Sequence, residues 1–333
     1  MRSSMTFSEY MNDWLYGEKG YYSEYHTIGK EGDFYTAVSS TKFFGGTIGN
    51  YIVKRIKEGQ VAKDATICEI GAHHGYMMAD IIEFIFTLAP ELLQTLEFAV
   101  IERFEHLQEK QAAYFKEAFG DEVKITIYSS LEEFHVENAF FVANEIFDAF
   151  GCDLIKDGKT ATVKDHKITF DGNDEEVLAI AKRYGQTGGE IGRGYEAFAL
   201  AMAASAKHSE FITFDYGDIT IRNDFSSRIY DKHEVYPLFD EKLTLSKAYA
   251  STDITYDVNF LHVKDAYEAA GFKQLAYGTQ LTAMIDFGLL ELLEMLQKNV
   301  SDETYAVEVG KVKTIIDPTI MGERFKMIHL KKD

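Results

Sequence analysis

The sequence predicts an α/β fold with a mostly parallel, doubly wound sheet and helices on both faces. Three observations predict it: apolar runs of strand length alternate with amphipathic stretches from Ala65 onward, three of those runs end in polar residues, and one of them opens into a glycine turn followed by a helix. With 333 residues, of which 46% are hydrophobic, the chain can bury a substantial core.

In chain order, the first helix is expected over Phe7 to Tyr16, followed by the glycine-punctuated aromatic segment Gly17-Glu-Lys-Gly-Tyr-Tyr-Ser. Ser40 to Glu58 reads as a second helix, with Phe44, Ile48, Ile52 and Ile56 on one face and an unfavourable Gly45-Gly46 pair. The alternation then gives a strand to Ile70, a helix to Leu88, the strand Glu97 to Ile101, a helix Phe104 to Phe119, and strands Val123 to Tyr128 and Ala139 to Ala143. From Cys152 to Phe170 the pattern changes, and Asp157-Gly158 between alternating residues marks a hairpin. A helix Tyr195 to Ala206 and the strand Phe211 to Phe214 resume the sheet. Helices Val263 to Ala270 and Leu281 to Lys298, with the strand Gln274 to Tyr277 between them, lead to a mixed stretch after Ser301 and a last strand Phe325 to Leu330. The expected organisation is an N-terminal segment 1–60 that contributes to the site, then a main domain 61–333 carrying an insertion at about 151–194.

The segment Thr66-Ile-Cys-Glu-Ile-Gly-Ala-His-His-Gly75 carries the most chemistry. A strand that ends at Glu69-Ile70 and turns through Gly71 and Gly75 presents backbone N–H groups at a helix start beside a carboxylate. Glu102 closes the next strand, where such sheets grip the two hydroxyls of a ribose, so an adenosine-containing cofactor is expected. A dinucleotide fingerprint needs G-x-G-x-x-G, whereas positions 73 and 76 are His and Tyr. S-adenosylmethionine, cationic and free of phosphate, suits the acid-led loop better than a nicotinamide cofactor; a plain strand–turn–helix is the remaining reading. Asn144-Glu-Ile-Phe-Asp148 and Asp215-Tyr-Gly217 are two further polar strand ends. Glu145 and Asp148 read either as acids complementing a helix N-terminus or as a pair gripping a cationic acceptor.

A net charge of -20 argues against binding a phosphate backbone and favours a basic partner. Two cysteines, Cys68 in a strand and Cys152 in a loop, offer no disulfide framework and imply a reducing compartment. The adjacent His73 and His74 lack a third ligand at metal-site spacing, so no metal is expected. No apolar run reaches membrane-span length, and the start has no apolar signal core, so a soluble cytoplasmic protein is expected. Tyr21 and Tyr22, taken as exposed, suggest a homodimer interface.

The order of Gly20-Tyr-Tyr, Gly32-Asp-Phe-Tyr-Thr36, Glu69-Ile-Gly-Ala-His-His-Gly75, Asn144-Glu-Ile-Phe-Asp148, Asp215-Tyr-Gly217, Asp253-Ile-Thr-Tyr-Asp-Val-Asn-Phe260 and Met321-Gly-Glu-Arg-Phe325 resembles the MidA family from about Phe7 to the C-terminus. These are S-adenosylmethionine-dependent methyltransferases, whose mitochondrial members assist respiratory complex I assembly by methylating an arginine on a subunit. The resemblance implies a Rossmann-like class I methyltransferase sheet and a protein substrate bearing arginine. It also implies that Gly32, Asp33 and Thr36 close over S-adenosylmethionine, that Glu69, Gly71, Ala72 and Gly75 form its main loop, and that Glu102 receives the ribose. Asn144 and Glu145 would border the methyl-transfer site; that Glu145 and Asp148 act in catalysis is the expectation from their position just after a strand end. The family loop usually reads E-x-G-x-G-x-G; here His73 replaces its second glycine, Ala72 stands where proline is common, and Phe150-Gly151 replaces a proline after N-E-x-x-D. The competing functional reading is an assembly partner that keeps the fold without catalysis.

Overall fold

The computed structural model of the chain describes residues 4–23, 36–231 and 234–333, which divide into two compact units. One comprises 36–144, 198–215 and 266–333; the other comprises 4–23, 145–197 and 216–265 without its two undescribed residues. The division differs from the boundary expected near residue 60. The helix Phe43–Lys57 belongs with the sheet-bearing unit, because its glycines bring it against the helix Tyr76–Leu88. A Cβ added at Gly45 would lie 2.8 Å from the Asp80 Cβ, and one at Gly46 2.6 Å from the Phe84 ring. The pair that is unfavourable by helix propensity is therefore what the close helix packing requires.

The main sheet is built from β1 (Thr66–Ile70), β2 (Glu97–Ile101), β3 (Ile125–Tyr128), β4 (Val136–Asn144), β5 (Ala206–Asp218), β6 (Lys273–Thr279) and β7 (Phe325–Lys332), in the order β6-β7-β5-β4-β1-β2-β3. From β3 through β1 and β4 to β5 neighbouring strands run parallel, while β6 and β7 pair antiparallel. All of β1 is buried, as expected of a strand paired on both sides inside an α/β sheet. The chain lays down β1, β2 and β3 in one direction and then returns to place β4 on the other side of β1. That reversal makes the carboxyl ends of β1 and β4 the switch point at which open α/β sheets take ligands. β5 is longer than the expected run, so Asp215, Tyr216 and Gly217 lie inside the strand and not beyond its end. The expected helix Leu281 to Lys298 is two helices, Gln280–Asp286 and Leu289–Asn299, parted by Gly288 at φ 99°.

The second unit holds the insertion. Cys152–Lys156 and Lys159–Lys164 form the expected hairpin, with Asp157 (φ 51°) and Gly158 (φ 73°) in the left-handed turn positions that match strand twist. Lys167–Gly172, Gly188–Gly192 and the two-residue strand Met5–Thr6 complete an antiparallel sheet. Cys152 is thus a fully buried strand residue, not a loop cysteine. A separate three-stranded sheet, Arg228–Asp231, Glu234–Pro237 and Asp253–Thr255, has no clear sequence signal. The helix Phe7–Tyr16 occupies the expected residues because Thr6 and Glu9 form a reciprocal capping box, Glu9 N–H donating to Thr6 Oγ1 and Thr6 N–H to Glu9 Oε2. Its apolar face packs in the core of this unit with Tyr21, which is 1% exposed. Tyr22 is half-buried and donates through its hydroxyl to Asp253. Tyr21 is therefore not the exposed aromatic that the sequence suggested, and Tyr22 is only partly so.

Candidate cofactor and acceptor site

The turn after β1 continues the sheet before leaving it. Gly71 N–H donates to the Ile101 carbonyl at 3.0 Å, and Glu102 N–H to the Tyr128 carbonyl at 2.9 Å, so both strand ends stay in register past their last residues. Gly71 (φ 70°), His73 (φ 46°) and Gly75 (φ 80°) then adopt left-handed conformations. This explains the glycines, since side chains disfavour that region, and shows what His73 tolerates in the family's second glycine position. The Ala72 carbonyl accepts from Gly75 N–H at 2.7 Å and closes the turn. Gly75 caps the helix Tyr76–Leu88, and a Cβ on it would stand 2.5 Å from the Phe115 ring. His74 stacks on Tyr76 at 5.1 Å, with His73 edge-on to it at 4.1 Å, so both imidazoles belong to an aromatic group at the mouth of the loop.

Glu69, 3% exposed, accepts from Met78 N–H at 2.8 Å and so caps the first turn of that helix from the strand beneath. Burial pushes its carboxyl up to about 8. Asp80, on the same helix, is also pushed to about 8 by burial, with Lys42 opposing. Glu102, 5% exposed, is raised by burial and held against it by the backbones of Phe104, His73 and Arg103 and by Gln111. Gln111, which sequence reasoning missed, is fully buried and donates from Nε2 to the His73 carbonyl at 2.9 Å and to Glu102 at 3.4 Å. Its signal was a glutamine in the apolar stripe Leu107, Gln111, Phe115 of an otherwise exposed helix.

Of the other expected site residues, Thr36 lies in this unit and caps the short helix Ala37–Ser40, its hydroxyl accepting from Ser39 N–H at 3.1 Å. Gly32 and Asp33 lie outside the described residues. Asn144 ends β4, in register with Phe214 of β5. Glu145 and Asp148 are counted with the other unit. Glu145 is half-buried and stands at φ 53°, while Asp148, 3% exposed, is in the short helical turn Phe147–Ala149. Tyr216 feels the charge of both acids and carries the Arg228 guanidinium 4.7 Å above its ring. Arg228 is itself held by Asp257 at 2.6 Å and the Tyr230 hydroxyl at 3.0 Å.

The donor set fits S-adenosylmethionine. A left-handed turn with small residues at its edges leaves backbone exposed at Gly71, and two buried carboxyls stand at neighbouring strand ends, where that of Glu102 can accept from a diol.

Comparison with known proteins agrees. The Burkholderia thailandensis protein whose crystal structure holds S-adenosyl-homocysteine superposes with a TM-score of 0.84, at 20% identity over 99% of this chain and 88% of its own, and establishes the fold. Among curated relatives, the Drosophila melanogaster protein arginine methyltransferase NDUFAF7 homolog, mitochondrial, is 21% identical over 97% of this chain and 80% of its own length. The Rattus norvegicus protein arginine methyltransferase NDUFAF7 is 26% identical over 43% of this chain, a match that spans only 37% of that relative. The family model Methyltransf_28, for S-adenosyl-L-methionine-dependent methyltransferases, matches residues 47–278, well over half of the chain. The chain therefore belongs to this S-adenosylmethionine-dependent methyltransferase family, of MidA type, as its motifs indicated.

Proposed function

We propose that the chain methylates a guanidinium nitrogen of an arginine on a protein. The observation that carries this reading is Glu145, an acid kept left-handed immediately after the strand whose end borders the switch point. The names of the NDUFAF7 relatives support the same acceptor. The net charge of -20 favours a basic partner over a nucleic acid.

When bound, the cofactor supplies an electrophilic methyl group on a sulfonium. In this reading Glu69 and the turn Gly71, Ala72 and Gly75 bind it, Glu102 receives its ribose, and Gly32, Asp33, Thr36 and Asn144 border it. An arginine side chain has a pKa above about 12 and is a poor nucleophile while protonated. The Glu145 carboxylate holds it through parallel hydrogen bonds, leaves one nitrogen directed at the methyl group, and takes the released proton at Oε. Asp148, almost fully buried in the turn Phe147–Ala149, is the second acid of the proposed pair. Alignment and exclusion of water supply the remaining rate enhancement. The two free, buried cysteines suit a reducing compartment, and the cytoplasm is the compartment we propose.

A second reading, an assembly partner that binds without transfer, draws support from His73 in a glycine position. Incubating the chain with labelled S-adenosylmethionine and arginine-bearing protein extracts separates the two. Label recovered as methylarginine, and lost in Glu145→Gln with cofactor uptake intact, supports the enzyme. Uptake without transfer to any protein supports the partner.

A further inference from the structure

The cofactor turn is shaped from behind by a residue that no motif marks. On the helix Glu105–Phe119 the buried positions are Leu107, Gln111 and Phe115, a stripe at four-residue spacing. A buried amide in the middle position of such a stripe is costly unless it is hydrogen-bonded; here Nε2 makes two bonds, while Oε1 is buried without a partner among the described residues. Gln111 Nε2 donates both to the carbonyl of His73 and to the carboxylate of Glu102. The backbone of His73 is in turn bonded to that carboxylate. Loop carbonyl, loop backbone and ribose acid are thereby closed into one ring of hydrogen bonds around a single amide. One helical turn along, Phe115 backs Gly75.

We propose that Gln111 is a positioning residue for the cofactor: it holds His73 in the left-handed conformation that glycine would adopt freely and aims Glu102 at the ribose. The proposal rests on the cofactor reading above. It explains how position 73 carries an imidazole without collapse of the turn, because a backbone state disfavoured for His is fixed by a partly buried hydrogen bond to its own carbonyl. Gln111 and His73 are then coupled, and the coupling is measurable.

The test is a double-mutant cycle on the full chain, with S-adenosylhomocysteine binding read by titration calorimetry. Gln111→Leu is expected to weaken binding about tenfold in the wild-type background and by less than about threefold in a His73→Gly background. Methyl transfer at saturating cofactor should change little, separating KM from kcat. In Gln111→Glu, only the protonated carboxyl can donate to the ring, so affinity should recover toward wild type as pH falls, which a merely structural substitution would not show. Amide hydrogen exchange at 71–75 in the ligand-free chain serves if the leucine variant binds nothing or if the unmodified chain takes up no ligand. Faster exchange confined to that turn in Gln111→Leu or Gln111→Glu sustains the clamp. Equal losses in both backgrounds, unchanged affinity, or unchanged exchange overturns it. Absence of uptake by the unmodified chain would instead sink the cofactor reading.

Discussion

Two side chains stand in the left-handed region at the mouths of neighbouring strands, and they are held in opposite ways. His73, between the left-handed Gly71 and Gly75, is fixed through hydrogen bonds of its own backbone to Gln111 and Glu102. Glu145 follows β4 and leads into a turn anchored by packing. There Phe147 is fully buried, stacks on Phe150 at 5.3 Å and meets Tyr195 edge-on at 5.2 Å, and the Tyr16 hydroxyl donates to the Ala149 carbonyl. The difference separates binding from chemistry. The turn at His73 is held by hydrogen bonds from a neighbouring helix and strand end, whereas Glu145 is left half-exposed on a turn held by aromatic packing, which under the proposed roles is the difference between a binding turn and a proton-handling acid.

The largest break in this comparison comes from Glu145→Gln. It should lower methyl transfer about 100-fold or more while leaving S-adenosylhomocysteine affinity unchanged, as read by initial rates and calorimetry. Gly75→Ala attacks the other side. A Cβ there both occupies a left-handed residue and overlaps Phe115, so it should destabilise the chain by about 2–3 kcal/mol in denaturant titration and weaken cofactor uptake about tenfold or more.

Asp80→Asn sharpens the electrostatic side. Its carboxyl is raised from an ordinary 3.8 to about 8, so the folded chain holds that proton more tightly than the unfolded chain. The associated stability is complete below about pH 4 and is lost as pH rises to about 8. Unfolding free energy measured from pH 5 to 9 should therefore decline less steeply in Asp80→Asn than in the wild type. The smallest effect is the most diagnostic of strain: Glu145→Gly should raise stability by about 1 kcal/mol while abolishing transfer.

Much of the sheet-bearing unit was legible in the sequence because its signals are local. Glu97–Ile101 has the expected boundaries, as does the Phe7–Tyr16 helix of the other unit, and Glu69, Gly71, Gly75 and Glu102 fall at or just past strand ends where alternation alone puts them. What was not legible depends on distant contacts. Gln111 is an unremarkable glutamine until the helix is set against His73, and Tyr21 looks solvent-facing until the Phe7–Tyr16 helix covers it. The strand Gly188–Gly192 carries weak β-propensity and Arg228–Asp231 is only four residues long; both form because partners such as Cys152–Lys156 and Asp253–Thr255 complete their ladders. The Gly45-Gly46 pair argued against a helix by propensity, yet tertiary contact with Phe84 decides that position.

The proposed function requires the turn from Gly71 to Gly75 to accept the adenosyl and amino-acid portions that S-adenosylmethionine shares with its thioether product. Titration calorimetry of S-adenosylhomocysteine into the full chain addresses it directly. Saturable uptake of one molecule per chain, weakened by Gly75→Ala and untouched by Glu145→Gln, is the expected result; no heat at millimolar ligand from a folded protein would contradict it.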